Sequence, residues 1–234
     1  MSKTTAIIVT AGKGKRFAQY NDGKEVKKNY TDLMGLPIVA RTIKAFNDNS
    51  SVDSIVAVVG AGDIDNFKSE VVEKYGFNKI ENIVEGGAER RDSVRNGFQA
   101  ISNDTDFILI HDGGRPLVTG DIIERVVEET KKSGASAPGV KVKDTIKEVE
   151  GTKIVKTIPR ETLVAIQTPQ GFKVSLLKEA YEKIGNSLEA TDECMVMEEA
   201  GFTVTVVEGS YENIKVTTPE DMPMAEAIIK KREK

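Results

Sequence analysis

The sequence predicts an α/β fold of the Rossmann-like type, in which a mostly parallel sheet carries helices on both faces. Short apolar, β-branched runs alternate with longer amphipathic segments through most of the chain, an order typical of parallel strands joined by crossover helices. The segments predicted as strands are 6–9, 55–59, 80–84, 107–110 and 204–207. Those predicted as helices are 38–46, 64–75, 91–101 and 122–132.

The alternation changes after residue 137. Polar and apolar residues then alternate through 141–159 around a Glu150-Gly151-Thr152 turn, which predicts a protruding β-hairpin arm at about 139–160. Because an isolated two-stranded hairpin is marginal in water, we expect the arm to pack on a second copy of the chain or back on its own domain. With 234 residues the chain is long for one domain and short for two, so we expect a single domain over 1–234.

The last helix and its approach also have a local signal. Thr218 is expected as the N-cap and Pro219 as the first helical residue, with acidic residues in the first turn. Lys215, the polar residue of the short strand before this cap, has no such structural explanation.

Composition excludes several classes of protein. A formal net charge of −4 argues against a general nucleic-acid binder, and no apolar run approaches membrane-spanning length. The first residues lead directly into a strand and leave no room for a signal peptide, and the single Cys194 cannot form an internal disulfide. We therefore expect a cytoplasmic protein with no nucleic-acid or membrane partner.

The first predicted strand runs into Thr10-Ala11-Gly12-Lys13-Gly14-Lys15-Arg16. Glycines allow backbone amides to approach a polyanion, and the cations oppose its charge, so this loop is a candidate phosphate-binding loop. It is neither a P-loop nor a dinucleotide fingerprint, since no Gly-Lys-Ser/Thr ending follows at P-loop spacing and Phe17 stands where a third glycine is needed. A solvated turn with ordinary surface lysines is the alternative interpretation.

Two other residues belong to types that often act in catalysis, but neither is expected to do so here. His111 is the single histidine and is expected to be structural, at the end of a buried strand. Cys194 has no activating partner other than His111, so we do not expect it to be a nucleophile.

Four segments occur in a fixed order, and together they carry a resemblance. They are the loop at 11–16, the Gly86-Gly87-Ala88-Glu89-Arg90-Arg91-Asp92-Ser93-Val94 segment, His111-Asp112-Gly113-Gly114-Arg115-Pro116, and Asn213-Ile214-Lys215-Val216-Thr217. From about residue 4 to residue 231 the chain resembles the 2-C-methyl-D-erythritol 4-phosphate cytidylyltransferases, whose close relatives include the ribitol-5-phosphate cytidylyltransferases.

The resemblance implies transfer of a cytidylyl group from CTP to a polyol phosphate, with release of pyrophosphate and the help of Mg²⁺ or another divalent cation. The residue chemistry agrees. The attacking phosphate is already an anion, so the site must offset the repulsion between two anions rather than supply a strong base. A loop region rich in lysine and arginine suits that task.

The resemblance also implies residue roles. The catalytic cations are Arg16, Lys28, Arg160 and Lys215. The nucleotide-binding residues are Thr10, Ala11, Gly12, Gly14, Gly87, Ala88, Arg90, Ser93 and Asp112. The substrate-binding residues are Asp112, Arg115, Thr145, Arg160, Thr168, Thr191 and Lys215, and Asp112 is also the candidate metal ligand.

Lys28 takes its role from its distance to the Gly35-Leu36-Pro37 turn. The residues around it depart from the family pattern and the spacing from Arg16 is longer than usual, so Lys24 and Lys27 stay open as alternatives.

The resemblance further implies a homodimer with shared active sites, in which Thr145 and Arg160 belong to an arm that crosses the interface. The acceptor stays open between 2-C-methyl-D-erythritol 4-phosphate, which we expect, and ribitol 5-phosphate. A catalytically weakened CTP-binding homologue is a third possibility.

Overall fold

The computed structural model describes residues 2–12, Phe17, 28–185 and 190–233. The strands are β1 (Lys3–Val9), β2 (Asp32–Leu33), β3 (Leu36–Pro37), β4 (Ser54–Val59), β5 (Ile80–Glu85), β6 (Thr105–Asp112), β7 (Ala135–Lys141), β8 (Ile146–Glu150), β9 (Lys153–Ile158), β10 (Val164–Ile166), β11 (Gln170–Lys173) and β12 (Thr205–Glu208). The α-helices are α1 (Ile38–Asn47), α2 (Ile64–Phe67), α3 (Arg90–Gln99), α4 (Gly120–Ser133), α5 (Val174–Ile184), α6 (Glu193–Glu199) and α7 (Asp221–Arg232).

The central sheet has the strand order β10-β7-β11-β6-β1-β4-β5, and β12 also pairs with β7. Strand β1 is parallel to both β4 and β6, and β4 is parallel to β5, whereas β11 runs antiparallel to β6 and β7. The mostly parallel α/β architecture predicted from the sequence is therefore confirmed, and each predicted strand is found.

Helices cover both faces of this sheet, which explains why the middle of each central strand is apolar on both faces. In β1, Ala6 and Ile8 pack in the same cluster as Phe46 of α1. Ile7, between them, belongs to the cluster on the opposite face with Val94 of α3. All five side chains have no exposed surface. Burial on two faces is typical of parallel strands and fixes their register against the helices.

The parallel strands end at one edge of the sheet, and their following loops meet there. The loop after β5 lies directly against the loop after β1, because a Cβ built at Gly86 would be 2.2 Å from the Cβ of Ala11. Only glycine allows this approach. In open parallel sheets this carboxyl edge is where ligands bind.

The predicted arm is present as the antiparallel pair β8 and β9, but its bounds differ from 139–160. Residues 139–141 belong to β7 and pair with β10 in the central sheet, because the extended backbone of β7 continues into that pairing. The arm leaves apolar side chains in solvent, with Val149 55% and Ile154 66% exposed.

Two helix predictions need correction. The segment 64–75 begins as α2 and continues as a π-helical stretch at Lys68–Glu73 rather than as one regular helix. The predicted N-cap at Thr218 is wrong, since α7 begins at Asp221. The Asp221 carboxylate accepts the N–H groups of Thr217 and Thr218 at 2.7 and 2.9 Å, and this keeps 218–220 in a turn before the helix.

None of the helices in the described part of the chain combines the length and apolar character needed to cross a membrane.

Candidate active site

A cleft of about 440 Å³ opens at the carboxyl edge of the sheet. Its walls come from the loops after β1, β5 and β6, from 28–29, and from the segment before α7. The lining residues are Val9, Ala11, Gly12, Lys28, Asn29, Gly87, Ala88, Glu89, Arg90, Ser93, Asp112, Gly114, Lys215 and Thr217. Nine residues that the sequence singled out, from five distant segments, thus line one cavity. A larger depression of about 620 Å³ between α1 and α7 contains none of them.

The loop after β5 is held in place by Ser93. This side chain is buried, and its hydroxyl accepts the N–H of Gly87 and donates to the carbonyl of Glu89, both at 3.1 Å. Glu89 and Asp92 also form a capping box at the start of α3. The hydrogen bonds of Ser93 fix the direction in which the Gly87 and Ala88 backbone faces the cleft.

The loop after β1 is anchored to the neighbouring strand. The backbone N–H and the hydroxyl of Thr10 both donate to the carbonyl of Val58, at 2.7 and 2.8 Å, so the side chain of Thr10 turns away from the cleft. Asn29 donates to the Thr10 carbonyl at 2.6 Å and joins the two cleft walls. Six residues named in the sequence analysis lie outside the described residues: Lys13, Gly14, Lys15, Arg16, Lys24 and Lys27.

Asp112 is the centre of a cationic cluster at the floor of the cleft. Its carboxylate lies 2.7 Å from Lys215 Nζ, 3.5 Å from Arg90 Nε and 3.6 Å from Arg115 Nε. Burial by itself raises the pKa of Asp112, but the charges of Lys215 and Arg90 outweigh burial and hold the pKa below its usual value. The carboxylate is therefore ionised, and it fixes three cations around one point.

Glu193 is a site residue that the sequence analysis missed. It is only 2% exposed, and its carboxylate lies 2.9 Å from Nη1 of Arg90. Burial raises the pKa of Glu193, and Arg90 opposes that rise. Arg90 is thus held between two buried carboxylates, Glu193 and Asp112. The one signal in the sequence was an acidic residue placed directly before the apolar run at 194–197.

Lys28 reaches the same cleft from the other wall. Its Nζ donates to the carbonyl of Val216 at 2.8 Å, and a Cβ built at Gly114 would be 2.7 Å from that nitrogen. Gly114 therefore leaves the space that the ammonium group occupies. Lys28 and Lys215 both line the cleft, the second paired with the Asp112 carboxylate.

Thr168 lies behind the cleft rather than in it. Strands β11 and β6 pair Gln170 with Ile110, and two residues further along the hydroxyl of Thr168 accepts the backbone N–H of Asp112 at 3.2 Å. The same hydroxyl lies 3.0 Å from Nδ1 of His111. The Thr168 hydroxyl therefore already has two protein partners. Its predicted role as a polyol ligand stays a prediction.

His111 is structural, as expected. The ring is 0% exposed, packs at 4.8 Å on Phe46, and has both nitrogens in hydrogen-bonding contact. Burial lowers its pKa to about 3. Burial likewise raises the pKa of the Cys194 thiol, so the cysteine is not poised as a thiolate.

Besides Thr168, four predicted substrate residues do not line the cleft of their own chain. Arg115 donates to the carbonyl of Asn213 at 2.9 Å beside the cluster. Arg160, just after the arm, is exposed and donates to the carbonyl of Lys143 at 3.0 Å. Thr145 and Thr191 are also exposed. The substrate-binding roles of these residues stay predictions.

This site fits a divalent cation only if phosphate groups and water supply most of its ligands. Among the residues that the structure describes, no three His, Cys, Asp or Glu side chains form a metal-binding group. Asp112 offers one carboxylate, and both of its oxygens contact cationic side chains. Since Mg²⁺ in phosphate sites takes most of its ligands from phosphates and water, Asp112 fits as the protein ligand of an ion that the substrate carries. It does not fit an ion held by protein alone.

Comparison with known proteins agrees with this geometry. The family model described as 2-C-methyl-D-erythritol 4-phosphate cytidylyltransferase matches residues 4–231. A protein of that name from Alkaliphilus oremlandii is 48% identical over 234 residues, covering 99% of this chain and 97% of its own. One from Clostridium novyi is 44% identical over 231 residues, covering 98% and 97%.

Solved structures give the same result. The crystal structure of 4-diphosphocytidyl-2C-methyl-D-erythritol synthase from Anaerococcus prevotii matches with a TM-score of 0.84 and 27% identity, covering 98% of this chain and 99% of that one. The Francisella tularensis 2-C-methyl-D-erythritol 4-phosphate cytidylyltransferase matches with a TM-score of 0.79 and 31% identity, covering 97% and 99%. By sequence and by fold, the chain belongs to the 2-C-methyl-D-erythritol 4-phosphate cytidylyltransferase family.

Proposed function

We propose that this chain transfers the cytidylyl group of CTP to 2-C-methyl-D-erythritol 4-phosphate. A phosphate oxygen of the acceptor forms a bond to the α-phosphorus of CTP, and the bond from that phosphorus to the bridging oxygen of pyrophosphate breaks. The proposal rests on the cations that surround Asp112. They lie in a cleft whose loops contain the motifs shared with the family.

The nucleotide end of the cleft is the loop after β5. Backbone groups of Gly87 and Ala88 face the cavity, fixed by Ser93, and can read the polar edge of a base. The triphosphate then extends toward Gly12 at the end of β1, where a backbone without a side chain can come close to phosphate oxygens. Gly14 and Arg16 continue that loop and share its role in the proposal.

The reaction end is the cationic cluster. Two anions must approach each other, and Lys28, Lys215 and Arg90 supply positive charge from different walls of the cleft. Asp112 fixes the ammonium of Lys215 at 2.7 Å, so this charge is in place before the substrate arrives. No residue is needed as a strong base, which agrees with a buried His111 that faces away from the cavity.

A bound divalent cation would neutralise part of the triphosphate charge and polarise the α-phosphate. Asp112 is the residue that would hold it, alongside phosphate oxygens.

We propose that the chain works as a homodimer whose arms complete the neighbouring sites. Val149 and Ile154 are exposed on the arm, and burying such residues against a second copy is favourable. Arg160 and Thr145 do not line their own cleft and are then available to the partner's acceptor phosphate. A cytoplasmic location belongs to the same proposal and is supported by the single, buried, reduced Cys194.

The arm can be tested separately. Val149→Asp combined with Ile154→Asp places two charges in the proposed interface, so sedimentation should show monomers and turnover should fall sharply. Lys183→Met, on the exposed face of α5, is the control and should keep both the dimer and the activity. A monomeric double variant with full turnover would refute shared active sites.

The reaction itself is tested by measuring pyrophosphate release from CTP with each acceptor in turn. We expect turnover with 2-C-methyl-D-erythritol 4-phosphate and the matching CDP-polyol as the second product. Turnover with ribitol 5-phosphate alone would replace the acceptor in the proposal. CTP binding without turnover on either acceptor would indicate a nucleotide-binding homologue that has lost catalysis.

A further inference from the structure

His111 is the buried residue directly before Asp112 in β6. Its side chain has no exposed surface and points away from the cleft, yet the next residue in the chain carries the carboxylate that organises the cationic cluster. A fully buried histidine ring packed on Phe46 is costly unless both ring nitrogens have partners. Here both have one.

The partners determine the direction of the hydrogen bonds. Nε2 lies 3.2 Å from the carbonyl oxygen of Arg115, which can only accept, so Nε2 carries the proton. In the neutral ring Nδ1 then has a lone pair and accepts from the hydroxyl of Thr168 at 3.0 Å. The Thr168 hydroxyl, having donated its proton, offers its oxygen to the N–H of Asp112 at 3.2 Å.

We propose that His111 is a positioning residue for the cytidylyl transfer, acting through the Thr168 hydroxyl on the backbone of Asp112. This inference rests on the proposed function. The chain of bonds runs from the Asp112 N–H through Thr168 to His111 and on to the Arg115 carbonyl. It connects the residues before and after the Gly113-Gly114 turn and thereby fixes where the Asp112 carboxylate meets Lys215.

The reason for a histidine at this position is its bidentate geometry. Asp112 is paired with Val9 of β1 on one side, but on the other side β11 begins only at Gln170. The buried N–H of Asp112 therefore has the Thr168 hydroxyl as its acceptor, and without an oriented acceptor it is left unsatisfied. A hydroxyl can rotate, and only an acceptor on its far side fixes its lone pair toward the amide. Nδ1 of His111 is that acceptor.

Two substitutions separate the acceptor function of Nδ1 from the donor function of Nε2. In His111→Asn the amide oxygen stands near the position of Nδ1 and keeps an acceptor for Thr168. In His111→Gln the amide nitrogen stands near Nε2 and keeps a donor for the Arg115 carbonyl. Both remove the ring and one hydrogen bond, so their general structural cost is similar.

We expect His111→Gln to lower kcat about tenfold, the loss that follows from one misplaced or unsatisfied buried group, with the KM for CTP little changed. His111→Asn should retain kcat within about threefold. Thermal unfolding of both variants shows whether the fold is kept. Equal losses in the two variants, or losses that follow their thermal stability, would overturn the proposal.

Thr168 provides the test if the histidine variants do not fold. Thr168→Val removes the hydroxyl at constant shape and should reproduce the loss in kcat. Thr168→Ser keeps the hydroxyl and should keep kcat close to that of the unaltered protein. Full kcat in a folded Thr168→Val protein contradicts the proposal.

A measurement without turnover separates this proposal from the proposed function. His111 is the single histidine of the chain, so ¹⁵N-histidine labelling gives one imidazole in the NMR spectrum. We expect a protonated Nε2 and an unprotonated Nδ1 whose resonance shifts in Thr168→Val; a protonated Nδ1 would refute the bond order. Should the unaltered protein show no turnover, the proposed function fails, and the protonation of the two His111 nitrogens together with the Nδ1 shift in Thr168→Val still decides whether this chain of hydrogen bonds exists.

Discussion

Replacing Asp112 with asparagine removes one charge at nearly constant shape from the centre of the candidate site. In the structure that charge faces Lys215 at 2.7 Å, Arg90 at 3.5 Å and Arg115 at 3.6 Å. Without it, the three cations repel one another across a few ångströms, and Glu193 compensates only Arg90.

The size of the effect follows from burial. Removing one partner of a buried ion pair costs about 3–5 kcal/mol, but the Lys215 side chain is 38% exposed and water screens its share. We therefore expect a loss of about 2–3 kcal/mol, which for a chain of this length lowers Tm by roughly 5–10 °C. Because displaced cations no longer match the reacting phosphates, kcat/KM should fall about 100-fold or more.

The pH dependence provides an independent check. Burial raises the pKa of Asp112, but Lys215 and Arg90 outweigh it, so the folded pKa lies below the unfolded one. Such a group contributes stability that is present above the ordinary aspartate pKa and is lost as the pH falls through the folded pKa. The stability difference between the unaltered protein and Asp112→Asn should therefore shrink toward acidic pH.

The assays are steady-state pyrophosphate release and urea unfolding over a series from neutral to acidic pH. Asp104→Asn is the matched control, since this carboxylate forms a surface pair with Lys3 at 2.9 Å and lies outside the cleft. It should leave kcat/KM unchanged. A stability difference for Asp112→Asn that stays constant with pH, or a kcat/KM within about threefold of the unaltered protein, would refute the reasoning.

Three further changes test other parts of the site. Arg16→Ala should lower kcat by about two decades or more, as for a lost transition-state donor, and near-normal kcat in the same assay removes Arg16 from that role. Gly86→Ala places a methyl group 2.2 Å from the Cβ of Ala11, so calorimetry should show CTP binding weakened about tenfold; Gly60→Ala, with open space at its Cβ, is the control, and equal affinities would contradict the prediction. Glu193 has a pKa raised by burial, so it favours the folded state below the ordinary glutamate pKa and less as the pH rises. In urea unfolding, the free energy of unfolding of Glu193→Gln should therefore increase relative to that of the unaltered protein as the pH rises. A trend of opposite sign would count against a raised pKa for Glu193.

Much of the fold was predictable because strand and helix formation in this chain follow local periodicity. Short apolar, β-branched runs such as 55–59 are typical of strands buried on two faces, and the segments between them have the period of helices. The start of α7 was not predictable in the same way. Thr218 and Pro219 have the right residue types for a cap. The Asp221 carboxylate, however, accepts the backbone N–H groups of Thr217 and Thr218, and this contact depends on geometry rather than on composition.

The sequence by itself determined the fold class, the four ordered motifs and most residues that line the cleft, because backbone freedom at glycines and charge at lysine and arginine are properties of single residues. Only the tertiary structure decided which charges face one another. It placed the buried Glu193 on Arg90, three cations on Asp112, and His111 with Thr168 behind the strand end. Apart from Arg115 and Asp112, these pairings join residues separated by 22 to 103 positions along the chain, and their strength depends on desolvation by the surrounding core, which no local pattern records.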